Sequence, residues 1–530
     1  MSYPTSHQHS SAPFENNQSS HNPSSSDSSF RTGRNFSLPQ GSMPFPISSS
    51  SDDLSEKSNP STRTWNFGQY HPLKTQKSEA EWKIPVGDAR PWRMNLAASF
   101  EGSFFLAIDD RIDFFYTPLN EVILGDGSIE NMNEELRPYH SVKIPQEFDA
   151  RAPNPEATAT INTIKVGMLG KEPVLAAVDD QGLVAVWFLH ALKRQPFVFD
   201  NEISTWGIAL NGPKRRIAVS ANSHLITVYD LLSGSTLHLK GHRQNIPSVD
   251  FSPSGDRLVS CSVDGSIRLW DLASGACLSQ HDVKNGFVWM CSFLSDMRFL
   301  RVDGPIPESA ECSIRVCSNA WYYDTFSSDE EAFSYESHAF EGSHVVSPTR
   351  FMHRSSPEAP VSTSLSRSWP LYNNGGDENL LLVTAASGAF LLSMDEDCKL
   401  VREHFVIENA VPDPRPCSIV RQFDRLNMTV YCPQLSLCIV ASQKGLVALI
   451  RLVGGPGGSS IQLRREQTVP LLYEAPQVPL LGLFVATDPA QSTPTPSRAW
   501  LYLVYYDGTM MRFLIEPDAS FFPISSCVRI

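Results

Sequence analysis

The sequence predicts an all-β protein built from copies of one small unit of short strands. Two observations carry the prediction. Residues 246–272 hold three strand-like runs and two turn signals in under thirty residues, and weaker copies of the same unit recur on both sides. Within the best copy, Ser248-Val249-Asp250-Phe251, the run from Asp256 to Cys261 and the run from Ser266 to Trp270 alternate or stay apolar over four to six residues, as half-buried strands do. Ser252-Pro253-Ser254-Gly255 and Asp264-Gly265 separate them with turn chemistry.

The other copies align on the turn glycine and the terminal aromatic. In chain order, residues 95–117 keep Asp109 in AIDDRIDFFY, and residues 161–189 keep VDDQGLVAVW, with Gln181 in the aspartate register and Asp180 one residue early. Residues 204–231 end in Tyr229-Asp230, with Ser223 in place of the turn aspartate. A further unit begins at Gly286 with FVWMCSFLSDMRFLRV and resumes at Asn379 with NLLLVTAASGAFLLSM. Residues 303–378 between them are rich in Ser, Pro, acids and loop signals, which suits an insertion looping out of one unit. Residues 427–453 offer Lys444-Gly445, and residues 478–516 offer Asp507-Gly508. The count is seven, or eight if the insertion hides strands of its own, for instance between Cys312 and Cys317. Exposed sheet edges are a liability, so either residues 521–530 or the segment around 82–86 is expected to close a ring by adding a strand to the last unit.

With Gly241-His242 ahead of it and Trp270-Asp271 near its end, the central segment resembles one complete WD repeat of a β-propeller. The resemblance implies a seven-bladed, or eight-bladed, WD-repeat propeller with a buried hydrogen-bonded tetrad of His242, Ser262, Asp264 and Trp270. A buried aspartate has to accept hydrogen bonds to offset its desolvation, so hydroxyl, imidazole and indole donors around it make structural rather than catalytic sense. A narrower likeness lies in TWGIAL, RRIAVSANSHLITVYDL, GHRQNIPSVDFS and GFVWMCSFL ahead of the long insertion. This set resembles a fungal family of propeller proteins implicated in transcriptional regulation of ribonucleotide reductase genes. That resemblance implies action in the nucleus or cytoplasm in the DNA-damage and dNTP-supply response, with no assigned catalytic residue.

Composition bounds the rest. At 530 residues and 41% hydrophobic, the chain is long enough for a large core. Residues 1–78 differ in kind: the first sixty hold 19 Ser and 7 Pro with few aliphatics, so a disordered tail is expected there, with the propeller over 79–530. The opening MSYPTSHQHSSAP lacks the basic and apolar regions of a secretory signal, and no eighteen-residue apolar run argues for a membrane span. The 10 cysteines are scattered, with Cys312 and Cys317 in CSIRVC the closest set, which points to free thiols in a reducing compartment rather than a zinc site. Against 57 acidic residues the chain has 43 Lys and Arg, a formal net charge of −14, and lacks the basic footprint of a duplex-binding domain. Pro213-Lys214-Arg215-Arg216 reads either as solvated cations on a tight turn or as a short import signal.

Enzyme signatures are missing: no GxxxxGK[ST], HExxH or GxSxG, and no strand–GxGxxG–helix. Gly454-Gly455-Pro456-Gly457-Gly458 contains a proline and precedes no helical pattern, so it reads as an inter-strand loop. Asp109-Asp110 and Asp179-Asp180 fall where the repeat places its turn acid. No catalytic residue, metal or cofactor is therefore expected. What is expected is a protein-binding scaffold, with Trp206, Asn222, Asn245, Pro247 and Val263 ringing the partner-binding face. A second reading is a substrate receptor of a cullin-type ubiquitin ligase, although the Trp-Asp-x-Arg docking box has Ala273 at the arginine position after Trp270-Asp271-Leu272. Ser327 and Ser328, ahead of acids, and Ser347 and Ser356, ahead of prolines, are candidate phosphosites.

Overall fold

Seven sheets, each built around four antiparallel strands, follow one another along the chain, and each is a blade of one β-propeller. The computed structural model of the chain describes residues 68–69, 72–87, 93–118, 135–145, 159–283, 287–294, 300–301, 380–385, 388–394, 400–407, 425–432, 435–454, 461–487 and 498–518. Blade 1 runs Ala97–Phe100, Ser103–Ile108, Arg111–Tyr116, His140–Lys143, and blade 2 runs Ile161–Leu169, Glu172–Asp179, Leu183–Phe188, Phe197–Asp200. Blade 3 is Thr205–Asn211, Arg216–Ala221, Leu225–Asp230, Ser235–Lys240, and blade 4 is Ser248–Phe251, Arg257–Cys261, Ser266–Asp271, Cys277–Asp282. The remaining three begin with Val288–Phe293, Met428–Cys432 and Leu480–Thr487.

The first strands of successive blades pack against one another around the axis. Middle strands lie between two neighbouring blades, so both of their faces are covered. This is why Leu183–Phe188, LVAVWF, is buried at every position instead of alternating. Outer strands have one open face and read accordingly: Cys277–Asp282 buries no residue. Apolar clusters fill the spaces between blades, for example Ile217, Val219 and Tyr229 of blade 3 against Val178, Val186 and Phe199 of blade 2.

Blade 5 is the interrupted one. Val288–Phe293 pairs antiparallel with Leu380–Ala385, so the intervening chain leaves and returns between two adjacent strands without breaking the ladder. Of that chain, Leu300–Arg301 lies parallel to Val453 and Gly454 of blade 6. Residues 303–378, including Cys312, Cys317 and the four candidate phosphosites, lie outside the described residues, as do most of the N-terminal tail and residues 521–530.

The ring is closed by the N-terminal side, and by a different strand from the one expected. Leu73–Lys77 adds antiparallel to the last strand of blade 7, Thr509–Pro517, whereas Trp82–Lys83 contributes only a two-residue pairing further along it. The propeller therefore starts before residue 79. The strand LKTQK buries only Leu73 fully, so it carries too little apolar pattern to stand out in the sequence. Arg512, on the last strand of blade 7, is fully buried. The guanidinium lies 4.1 Å from the Trp500 ring centroid and 5.1 Å from that of Trp82, and it donates to Pro118 O at 2.7 Å and Ser78 Oγ at 3.0 Å.

Candidate functional site

The complete repeat of blade 4 builds one continuous hydrogen-bond chain. Trp270 Nε1 donates to Ser260 Oγ at 2.8 Å, Ser260 meets His242 Nε2 at 2.7 Å, and His242 Nδ1 meets Asp264 Oδ2 at 3.1 Å. Ser266 Oγ donates to the other carboxylate oxygen at 2.6 Å, and Arg243 N–H to Oδ2 at 2.8 Å. The tetrad serine is thus Ser260 and not Ser262. Both share the Trp270 face by strand alternation, but Ser260 sits diagonally across the ladder from Trp270, which pairs with Leu258. Ser262 lies beyond the strand end, donates to Gln244 O and Asn245 O, and accepts the Asp264 N–H.

Burial lowers the His242 pKa, so the imidazole is neutral at neutral pH and Nδ1–H is the proton facing Asp264. Burial also opposes charge on Asp264, yet the hydrogen bonds from His242, Ser266 and Arg243 N–H hold it well below the usual carboxylate range. The connectivity of Ser260, His242 and Asp264 matches a hydrolase triad. Its accessibility does not: Ser260 is 0% exposed and its oxygen already accepts the indole N–H, so no substrate carbonyl can approach it.

The turns between second and third strands, and the connections between blades, share one end of the propeller. Asn222 N donates to Ser204 O and Val263 N to Asn245 O, which lace each turn to the chain entering its own blade. At the junction of blades 3 and 4, Ser220 Oγ donates to Ile246 O at 2.6 Å and accepts Gly207 N–H at 3.0 Å. A Cβ on Gly207 would lie 2.6 Å from that Oγ and 3.1 Å from Pro247 O, so only glycine allows this close approach beside Trp206.

Of the five residues expected on this face, Trp206, Asn222 and Asn245 are half-buried, whereas Pro247 and Val263 are buried and cannot present contact area. Burial there follows from the lacing: the turn backbone folds over Pro247 and Val263. Trp206 Nε1 and the Oδ1 atoms of Asn222 and Asn245 are buried without a hydrogen-bond partner among the described residues.

Trp289 was missed by the sequence reading, although its motif GFVWMC was in view. Half-buried on the first strand of blade 5, it carries the Arg425 guanidinium 4.7 Å from its ring centroid and the exposed Phe287 edge-on at 6.3 Å. Its Nε1 also lacks a partner among the described residues.

The paired acids serve the turns. Asp179 Oδ1 accepts the N–H groups of Gln181 and Leu183, Asp180 accepts Thr160 N–H and meets Arg93 at 3.4 Å, and Asp110 pairs with Lys143 at 2.7 Å. The cations of the Pro213–Arg216 turn are also engaged: Lys214 lies 3.4 Å from Asp256, and Arg216 Nε donates to Asp230 at 2.9 Å. Among the described residues no group of three or more His, Cys, Asp or Glu side chains is arranged to hold a metal, and no helix is long and apolar enough to cross a membrane. Cys261, Cys277, Cys291 and Cys438 form no disulfide.

Residues 232–271 match the family described as WD domain, G-beta repeat. A WD40 repeat-containing protein of Dictyostelium discoideum is 39% identical over 228 residues, 42% of this chain but only 30% of that protein. A WD repeat-containing protein of Schizosaccharomyces pombe is 25% identical over 386 residues, 68% of this chain and 76% of that protein. Among solved structures, a chain in the crystal structure of the mitotic checkpoint complex matches with 10% identity and a TM-score of 0.45, covering 90% of this chain and 99% of that one. The chain thus carries one matched WD repeat, at residues 232–271, and is similar to WD-repeat proteins.

Proposed function

We propose that this WD40-repeat propeller is a non-enzymatic interaction scaffold that docks a protein partner on the face bearing Trp206, and that it acts in transcriptional regulation of ribonucleotide reductase genes within the DNA-damage and dNTP-supply response, in the nucleus or the cytoplasm. The observation that carries the docking reading is Trp206 itself. A half-exposed indole on the face that carries the connections between blades offers a partner an aromatic anchor. The regulatory role rests on the motif set from TWGIAL to GFVWMCSFL.

A ubiquitin-ligase receptor role draws less support. Ala273 stands at the docking-arginine position, and Asp271 is occupied in capping Ser274, whose N–H it accepts at 2.8 Å. The test is affinity purification of the wild-type chain and Trp206→Ala, with and without replication stress, followed by mass spectrometry. Transcriptional regulators should be retained by the wild type and lost by the variant at an unchanged thermal midpoint. Failure to recover a stable partner would overturn the scaffold reading, and a cullin adaptor recovered instead would replace the regulatory one.

A further inference from the structure

The turns joining first and second strands gather at the end of the propeller opposite Trp206, and those of blades 2 and 3 interlock there. Gly170 N–H donates to Gly212 O at 2.9 Å, and a Cβ on Gly170 would lie 2.8 Å from Arg215 Nε. The Arg215 guanidinium of blade 3 thus rests on the turn of blade 2, in the space a side chain at Gly170 would take, beside Lys171. Lys171 is exposed and forms no ion pair among the described residues. Lys214 is exposed too, and its 3.4 Å pairing with Asp256 is open to solvent on both sides, worth at most about 1 kcal/mol. Lys193 and Arg194 stand exposed where the third strand of blade 2 leaves for the fourth, at the same end. Two apolar side chains lie among these cations. Met168, two residues before Gly170, is 42% exposed, and Leu232 is 63% exposed beside Leu231, whose N–H donates to Arg215 O at 3.1 Å.

At this end blades 2 and 3 carry Lys171, Lys193, Arg194, Lys214, Arg215 and Arg216 against only Glu172 and Asp230, and Asp230 already accepts from Arg216 Nε at 2.9 Å. On a chain of formal net charge −14 this is a local inversion of sign. We propose that the surface docks an acidic segment of a protein partner in which apolar side chains stand between carboxylates. Charge complementarity steers such a segment to these turns, and covering Met168 and Leu232 with its apolar side chains adds a short-range attraction.

A protein segment fits better than the other polyanions. Glu172 and Asp256 interrupt the cations, so a chain of evenly spaced phosphates would meet carboxylates that a peptide avoids by the placing of its own. A nucleic acid backbone also lacks apolar side chains to cover Met168 and Leu232. An anionic membrane presents its charge over a plane, where the net −14 of the chain opposes approach. The surface lies away from the face of Trp206, so it gives the scaffold a second docking site rather than refining the first.

The test uses the full chain and a fluorescein-labelled peptide Glu-Leu-Glu-Glu-Leu-Glu in fluorescence anisotropy. Its comparators are the serine-for-leucine analogue, short duplex DNA and phosphatidylserine vesicles. Saturable binding that weakens as salt is raised is expected, with every comparator weaker by about threefold or more. Lys171→Glu combined with Lys214→Glu should weaken binding about tenfold or more. Glu172→Lys should tighten it about two- to fivefold, a gain that damage to the fold cannot produce. Met168→Ser should weaken the peptide about three- to tenfold and leave the serine analogue unchanged. Trp206→Ala should change nothing here, which keeps the result independent of docking on the Trp206 face. No saturable binding, equal or tighter binding of any comparator, or indifference to the charge variants or to Met168→Ser would overturn the proposal. So would tighter binding after Asp329→Lys with Glu330→Lys, because the chain's own insertion would then be the occupant.

Discussion

Blade 4 and blade 2 each bury a carboxylate at the turn joining their second and third strands, and the two acids behave in opposite ways. Asp264 is surrounded by donors from His242, Ser266 and Arg243 N–H, and it stays ionised far below the usual range. Asp179 is fully buried, with two backbone N–H donors on Oδ1, nothing on Oδ2 and the charge of Asp180 beside it. Burial, reinforced by Asp180 and opposed by those N–H groups, raises its pKa to about 7. The difference teaches that an acid at the repeat's turn is stabilising only when enough donors converge on it; blade 2 lacks both the histidine and the serine hydroxyls that do this in blade 4.

The largest effect should come from Asp264→Ala. It strands His242 Nδ1–H, Ser266 Oγ and the Arg243 N–H, and it is expected to cost about 3–5 kcal/mol in denaturant unfolding, because each buried donor left without an acceptor costs about 1–3 kcal/mol. Ser260→Ala follows at about 2–4 kcal/mol, because the Trp270 N–H and His242 Nε2 both lose their partner. Ser262→Ala should cost only about 1–2 kcal/mol. Equal losses for the two serines would break the assignment of Ser260 to the tetrad.

The two blades should also part company with pH. The lowered pKa of His242 means its contribution is complete above about pH 6.5 and falls as the pH drops through that value, while the contribution of Asp264 is lost further down, below about pH 4. Asp179 has the opposite sign: its raised pKa costs stability progressively as the pH rises from about 4 to about 7. Acid should therefore speed amide exchange first in the middle strands of blade 4, and base in those of blade 2. Asp179→Asn keeps an acceptor without the charge and should stabilise the protein by roughly 2–3 kcal/mol at pH 8 while changing little at pH 4. A uniform effect at both pH values would sink the contrast. Trp206→Ala belongs at the small end, within about 1 kcal/mol on stability, because its cost is expected in partner binding.

Legibility followed the physics of each element. Middle strands such as RLVSC and SIRLWD are covered on both faces, so their apolar runs show in the sequence and all seven units could be found from them. The closing strand LKTQK buries one residue fully and left almost no trace. In the tetrad, the histidine, aspartate and tryptophan have no rivals nearby, whereas Ser260 and Ser262 share a face two residues apart and only the ladder register separates them.

By itself the sequence determined the repeating β unit and the residue types of one buried polar network, because strand periodicity and turn chemistry are local. The tertiary structure decided what depends on which blades become neighbours. It chose the N-terminal strand that closes the ring, sandwiched Arg512 between Trp500 and Trp82, and buried Pro247 and Val263 while leaving Trp206 half-exposed. It also set Asp179 and Asp264 in environments of opposite effect. Burial and hydrogen-bond supply are properties of the assembled ring, and no single repeat contains them.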